Sequence, residues 1–367
     1  MDSQGKAKAI SERLRREILS GKFDGTGKFP SDRMLMRRFA VARATVQAAM
    51  RDLLEKDLVD RKPGYGTFLT ARASVTAARK FAVIVPDAYY SFYARICRGI
   101  DEAAKAGGWA TLSASLGSGG MRERAVKALA FAEVCVREKV SGVFFQPLQF
   151  LEDGVRFNRA VLRVFDRARI PVVLLDSDYL PLPQRSGYDL VGINNVAAGY
   201  ELARHVIAQG ARRVWYFSNP LPAPTSVNRG NGVGFAVSEA GLRWTRDSVF
   251  FADPADARAA RCLFAGRNRP DAIVAVNDYV ASILLKTLKA IGRRVPGDVL
   301  LAGFNGDPCG EECDPPVTTM VQPCEEIGKV AVGLMLNRLA NRDAPPREVL
   351  LNAGLAARAS TLKGNEK

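Results

Sequence analysis

Histidine is almost missing: His205 is the only one in 367 residues. Histidine is the usual general base near neutral pH and the commonest metal ligand, so most metal-centre and proton-shuttle chemistries lose their main player. The six cysteines, Cys97, Cys135, Cys262, Cys309, Cys313 and Cys324, form no CxxC pair. Zinc-ribbon and thioredoxin-like motifs are therefore absent, and reduced thiols in or near cores are expected. No run approaches the ~20 apolar residues of a membrane helix. The amino-terminal MDSQGKAKAISERLRREI lacks the apolar segment of a secretory signal, so a cytosolic location and no membrane contact are expected. No nucleophile and base stand out, so an enzyme is not expected. Gly230–Gly234 follows no strand pattern that would make it a dinucleotide fingerprint, and no cofactor is expected.

What remains is globular and basic. Hydrophobic residues make up 47% and charged residues 25%, which rules out a disordered chain. The net charge is +15. Residues 1–72 carry 16 Lys and Arg against 9 Asp and Glu, while the remaining 295 residues carry 37 against 29. The positive excess is thus several times denser at the amino terminus, as polyanion binding requires.

Residues 1–70 read as helix, helix, turn, helix and hairpin. Ile10, Leu14, Ile18 and Leu19 lie at helical spacing. The loop KFDGTGKF follows, and Pro30-Ser31-Asp32 looks like a helix start with Ser31 as N-cap. Ala40-Val41-Ala42 is a tight connection to a third helix with the apolar stripe Val46, Ala49, Met50, Leu53 and Leu54. Two short strands then flank the tip Lys62-Pro63-Gly64-Tyr65-Gly66. This is the order of a winged helix-turn-helix, whose third helix enters a major groove. Arg43 can pair with guanine and Gln47 with adenine. Ser31 and Thr45 suit phosphate oxygens. Double-stranded operator DNA is the expected partner.

Phe29-Pro30-Ser31-Asp32-Arg33, Val41-Ala42-Arg43-Ala44-Thr45-Val46 and Gly64-Tyr65-Gly66-Thr67-Phe68, in that order, resemble the head of the GntR family. The resemblance implies DNA contacts from Arg33, Arg43, Thr45 and Gly66, with Tyr65 beside it at the wing tip. Gln47 stands where the family commonly has Arg, which implies an altered operator.

Residues 71–80 read as a linker. From residue 81 onward apolar runs alternate with helical stretches, so an α/β body with doubly wound parallel sheets is expected. The pattern restarts after Tyr188. Two lobes are expected, the first about 81–188 and 313–345, the second about 189–312 and 346–362. Ligands bind at the carboxyl ends of such strands, which selects Asp87, Ser115, Gln146, Asp176, Asn219, Asp278 and Asn305. A cleft of carboxylates, amides, arginine and aromatics suits a polyhydroxylated ligand. Asp278 could also cap the helix that follows it, alone or while binding.

Ile170-Pro171-Val172-Val173, Val191-Gly192-Ile193-Asn194-Asn195, Arg229 with Gly232, Val276-Asn277-Asp278, Gly303-Phe304-Asn305 and Pro315-Pro316-Val317-Thr318-Thr319 resemble the effector domain of LacI-type repressors. That domain is related to type I periplasmic sugar-binding proteins. The resemblance implies two discontinuous lobes joined by three crossovers. It also implies ligand contacts from Asp176, Arg229, Asn277 or Asp278, and Asn305, with Tyr89, Phe92 and Tyr93 as a stacking platform. Asn194 and Asn305 each replace a usual Asp, so a sugar acid or sugar phosphate stands beside a neutral sugar as the expected effector. The expected whole is a homodimeric repressor. The alternative is a solute-binding protein for transport or chemoreception, which the body alone would permit.

Overall fold

A computed structural model of the chain describes residues 3–19, 23, 28–62, 65–70, 79–87, 90–117, 119–266 and 268–362. Most of the 71–80 linker lies outside these residues. The chain forms two compact units, one made mainly of residues 1–80 and the other of most of the rest.

The head contains α1 (Ser3–Leu19), β1 (Lys28–Phe29), α2 (Asp32–Phe39), α3 (Arg43–Glu55), β2 (Val59–Lys62) and β3 (Gly66–Leu69). Leu14 and Ile18 of α1, Leu35 of α2, and Val46, Met50 and Leu53 of α3 share one buried core. The Ser31 hydroxyl accepts from the Met34 N–H and so starts α2 as expected. Ala40, at φ 51°, ends α2 and turns the chain into α3. The expected hairpin has a third strand. Lys28–Phe29, read from sequence as loop, pairs antiparallel with β3, placing Phe29 opposite Thr67 and burying it. Two residues are too few to show an alternating pattern, so this strand left no periodic signal.

Among the described residues the body has twelve strands: β4 (Lys80–Val85), β5 (Ala110–Ser115), β6 (Gly142–Phe145), β7 (Val172–Leu175), β8 (Asp189–Ile193), β9 (Val214–Ser218), β10 (Val249–Phe251), β11 (Ala272–Ala275), β12 (Leu300–Asn305), β13 (Thr318–Val321), β14 (Glu348–Leu351) and β15 (Gly354–Ala356). They form two six-stranded sheets, ordered β14-β8-β7-β6-β4-β5 and β10-β9-β11-β12-β13-β15. Strands β6, β7, β8, β11 and β12 are buried at every residue, as parallel strands covered by helices on both faces must be.

The lobe boundaries differ from those expected. β8 lies in the first sheet, parallel to β7 with Val173 opposite Asp189 and Leu175 opposite Val191. The Asp189 carboxylate, fully buried, accepts two bonds from Arg338 at 2.8 and 2.9 Å. The restart of the pattern after Tyr188 therefore marks the last core strand of the first lobe, and the crossing comes after it. β13 belongs to the second sheet, although the segment 313–345 was expected in the first lobe; only the helix Cys324–Ala340 packs there, against β6, β7 and β8. β14 returns to the first sheet and β15 to the second. The chain thus crosses between lobes three times, after Ile193, Val321 and Leu351.

Helices Asn195–Ala208 and Pro224–Glu239 pack closely in the second lobe. A Cβ on Gly199 would sit 2.1 Å from the Arg229 carbonyl oxygen, and one on Gly232 would sit 2.0 Å from that of Val196. Both glycines allow backbone-to-backbone contact. Gly→Ala inside a helix ordinarily stabilises by about 1 kcal/mol. Here the contact reverses the sign: Gly232→Ala should destabilise by about 2 kcal/mol through overpacking. Urea unfolding checks this, and an unchanged or raised midpoint would refute it.

Candidate functional site

In the head, the amino-terminal ends of α2 and α3 and the wing border one open groove. It is lined by Lys28, Arg33, Arg43, Arg61 and Lys62 against one acid, Asp32, together with Ser31, Met34 and Gly66. Arg61 holds both oxygens of Asp32 at 2.7 Å, which neutralises that acid and ties the wing to the start of α2. Helix amino termini add positive potential to the same groove. Arg33, Arg43 and Gln47 are exposed, and Gln47 lies one turn beyond Arg43 on α3. Tyr65 is 77% exposed at the wing tip. Gly66 has φ 119°, a conformation that excludes side chains, so the wing backbone itself lines the groove. Thr45 departs from the sequence reading. It is buried, with 6% exposure, because it lies on the core side of α3 beside Val46. Met34, 61% exposed in the groove, was not foreseen.

In the body, a cavity of about 570 Å³ lies between the lobes. Six expected residues line it: Phe92, Tyr93, Asp176, Arg229, Asn277 and Asn305, joined by Asp87 and Asn219. Tyr89 and the Ser115 side chain lie outside the described residues. His205 is elsewhere, bonded to Thr361 at 2.8 Å.

Arg229 is the best-held group. It is 5% exposed. Its Nε donates to Asn195 Oδ1 and its Nη1 to the Val276 carbonyl, both at 2.8 Å, and its guanidinium lies over the Phe304 ring at 4.8 Å. Asp176 follows β7 at φ 64° and is 7% exposed. Gly192 makes room for it, since a Cβ there would meet the Asp176 carbonyl at 2.6 Å. Burial pushes the Asp176 carboxyl above its ordinary range, while Arg229 and Gln146 pull it back. Its Oδ1 has no hydrogen-bond partner among the described residues. Asn277 caps the helix Asp278–Ala290 by accepting from the Val280 N–H at 2.8 Å, and it lines the cavity as well. Capping, the alternative reading for Asp278, falls to Asn277.

Gln146 and Asp278 are corrections. Neither lines the cavity. Gln146 is buried behind it, with Nε2 3.5 Å from Asp176. Asp278 is fully buried and accepts from the Asp307 N–H at 2.8 Å and the Thr319 hydroxyl at 3.0 Å. Following a strand thus brings a residue to the correct end of the sheet without turning its side chain into the cavity. Asn305 lines the cavity with its amide engaged on both sides, donating to Asp307 at 3.0 Å and accepting from Gln322 at 2.8 Å. Across the lobes, the Tyr90 hydroxyl donates to Asp307 at 2.9 Å and Arg95 donates to the Asn305 carbonyl at 2.8 Å.

Sequence reasoning missed Tyr90, Arg124, Thr225, Ser226, Asp253 and Tyr279, all of which line the cavity. Asp253 follows β10 and was reachable by the strand-end rule. Thr225 and Ser226 lie in the first turn of the Arg229 helix, Pro224–Glu239. Arg124 pairs with Asp87 at 3.7 Å and donates to the Gly119 carbonyl at 3.0 Å.

Comparison with known proteins agrees with both units. Residues 6–69 match the bacterial regulatory proteins of the gntR family, and residues 203–361 match the periplasmic binding protein-like domain. The transcriptional regulator DegA of Bacillus subtilis is 27% identical over 262 residues, 70% of this chain and 73% of that protein. The transcriptional regulator CelR of Thermobifida fusca is 26% identical over 359 residues, 95% and 99% of the two chains. The structure of a CelR–cellobiose complex superposes with a TM-score of 0.66 at 23% identity, covering 90% of this chain and all of that one. The chain is a DNA-binding transcriptional regulator. It joins a GntR-family helix-turn-helix head to a periplasmic-binding-protein-like body.

Burial holds the Asp278 carboxyl up at about 7, against its ordinary 3.8. The folded chain therefore keeps a proton that the unfolded chain loses above about pH 4. Its stabilising effect is full below that point and is lost steadily as pH rises to about 7. Asp278→Asn should flatten this part of the stability profile, read as urea midpoints from pH 4.5 to 7.5. Parallel profiles for the variant and wild type would refute it.

Proposed function

We propose that this regulator is a cytosolic, non-enzymatic repressor that binds operator DNA as a homodimer and is controlled by a neutral carbohydrate held between its lobes. The observation that carries the reading is an exposed cationic groove in the head on the same chain as a cavity in the body whose two arginines are matched by acids. Arg43 and Gln47 read base edges, while Arg33, Ser31 and the Tyr65-Gly66 wing hold the backbone. Thr45 supports α3 from beneath. One head reads one half-site, so two chains are needed for a palindromic operator.

The cavity's charge favours a neutral ligand over the sugar acid or phosphate that the Asp-to-Asn replacements suggested. Its acids are Asp87, Asp176 and Asp253, against Arg124 and Arg229. Arg124 is paired with Asp87, and two of Arg229's nitrogens are already bonded within the protein. Hydroxyls satisfy what remains. The unpartnered Asp176 Oδ1 accepts from one, and the outstanding guanidinium nitrogen donates to another. Tyr93 and Phe92 form an aromatic wall. The cellobiose held by CelR supports the same class of ligand.

In a thermal-shift screen, neutral mono- and disaccharides should raise the melting temperature and their phosphates should not. A shift given by phosphates alone would refute the neutral-ligand reading. Arg43→Ala should weaken binding to the chain's own upstream DNA by about tenfold or more, the worth of one bidentate base contact, while keeping the sugar-induced shift. Arg229→Ala should lose the shift and keep DNA binding. Loss of both by either variant would refute the division between head and body.

A further inference from the structure

The helix Gly154–Ala168 covers the first sheet, burying Asn158, Val161, Leu162 and Phe165. Its opposite side carries Arg156, Arg159, Arg163 and Arg167, all exposed. At about 100° per residue these four fall within an arc of roughly 80°, facing away from the buried side. They span about 16.5 Å along the axis. Among the described residues none of the four has an ion-pair or hydrogen-bond partner, whereas the neighbouring helix Met121–Arg137 pairs Lys127 with Glu123. The only acid on the helix, Asp166, lies on its flank and is occupied by the Tyr188 hydroxyl.

Like charges three and four residues apart repel one another and weaken a helix. This face holds three such pairs in succession, with no acid between them. A surface kept soluble by charge alone alternates its signs. We infer that the arginine face binds the phosphate backbone of duplex DNA, giving the body a sequence-independent contact in addition to the head's. The inference rests on the DNA-binding reading of the chain, whose head keeps the body near the duplex.

DNA fits the face better than an acidic protein does. Protein interfaces are centred on apolar and aromatic residues, and the arginine arc encloses none, with Ala160 beyond one edge and Asp166 beyond the other. Duplex DNA presents about five phosphates of one strand over 16.5 Å of its axis, a linear charge density close to that of the arginines. Guanidinium forks suit phosphate oxygens, and several weak contacts in a row do not depend on sequence.

The test uses the full-length protein with Arg159→Gln, Arg163→Gln and Arg167→Gln combined. Removing like charges relieves repulsion, so the variant should keep its circular dichroism and melting temperature. Anisotropy titrations with a labelled random-sequence duplex of 60 base pairs are run at several NaCl concentrations. Affinity at low salt should fall by an order of magnitude or more. The slope of log affinity on log salt should flatten by about one for each arginine removed. The preference for the chain's own upstream DNA over random duplex should be unchanged, because the head carries it. Wild-type affinity and slope in the folded variant would overturn the proposal. So would unchanged DNA binding with lost retention on immobilised polyglutamate, which would assign the face to an acidic protein. Failure of the DNA-binding reading itself would show separately, as the absence of any upstream preference in the wild type.

Discussion

The body's binding chemistry depends on two helices touching backbone to backbone. Gly199 and Gly232 let Asn195–Ala208 and Pro224–Glu239 approach until carbonyl oxygens occupy the space where side chains would be. That approach puts Asn195 within reach of Arg229, and the Asn195 carbonyl group then holds the guanidinium. The Val276 carbonyl, just after the central strand β11, and the Phe304 ring on its neighbour β12 complete the seat. A buried arginine is tolerable only when its donors are satisfied. The helix contact is therefore what makes a cation at the cavity floor affordable.

The two units distribute charge in opposite ways. The head gathers cations at helix ends and neutralises its one groove acid. The cavity matches acids with arginines inside the protein. The first arrangement attracts a polyanion over distance, and the second leaves short-range hydrogen bonding to select the ligand. Between the lobes, Tyr90 and Arg95 reach Asp307 and Asn305 beside the cavity. A ligand that touches both lobes gains most where these bonds are also made.

Much of this was legible in the sequence. Glycines, caps and the order of motifs gave the head, and buried parallel strands announced themselves as continuous apolar runs. What failed had physical causes. β8 looked like the start of a new lobe because sequence shows the rhythm of strand and helix but not which sheet a strand joins; the Arg338–Asp189 pair joins residues 149 positions apart. Asp278 and Gln146 were at the correct ends of strands, yet side-chain direction depends on the turn that follows, and Asn277, one residue earlier, faces the cavity instead. Thr45 looked like a phosphate ligand because its hydroxyl suits phosphate and the GntR resemblance implied the contact, but helical periodicity sets it on the core side. The cavity residues that escaped notice, such as Arg124 and Thr225, lie in first turns of helices whose starts carry no strong cap.

The threefold crossing has a consequence for how the chain can be made. β14 and β15 are separated by two residues and close opposite sheets, so neither lobe is complete until residues 348–356 have left the ribosome. Pairing Leu190 with Glu348 and Met320 with Leu355 ties early segments to late ones. Such long-range closure slows folding. It also means that neither lobe corresponds to a continuous gene segment: a deletion spanning residues 348–356 takes an edge strand from both sheets, so the two lobes are inherited, expressed and lost as a single piece.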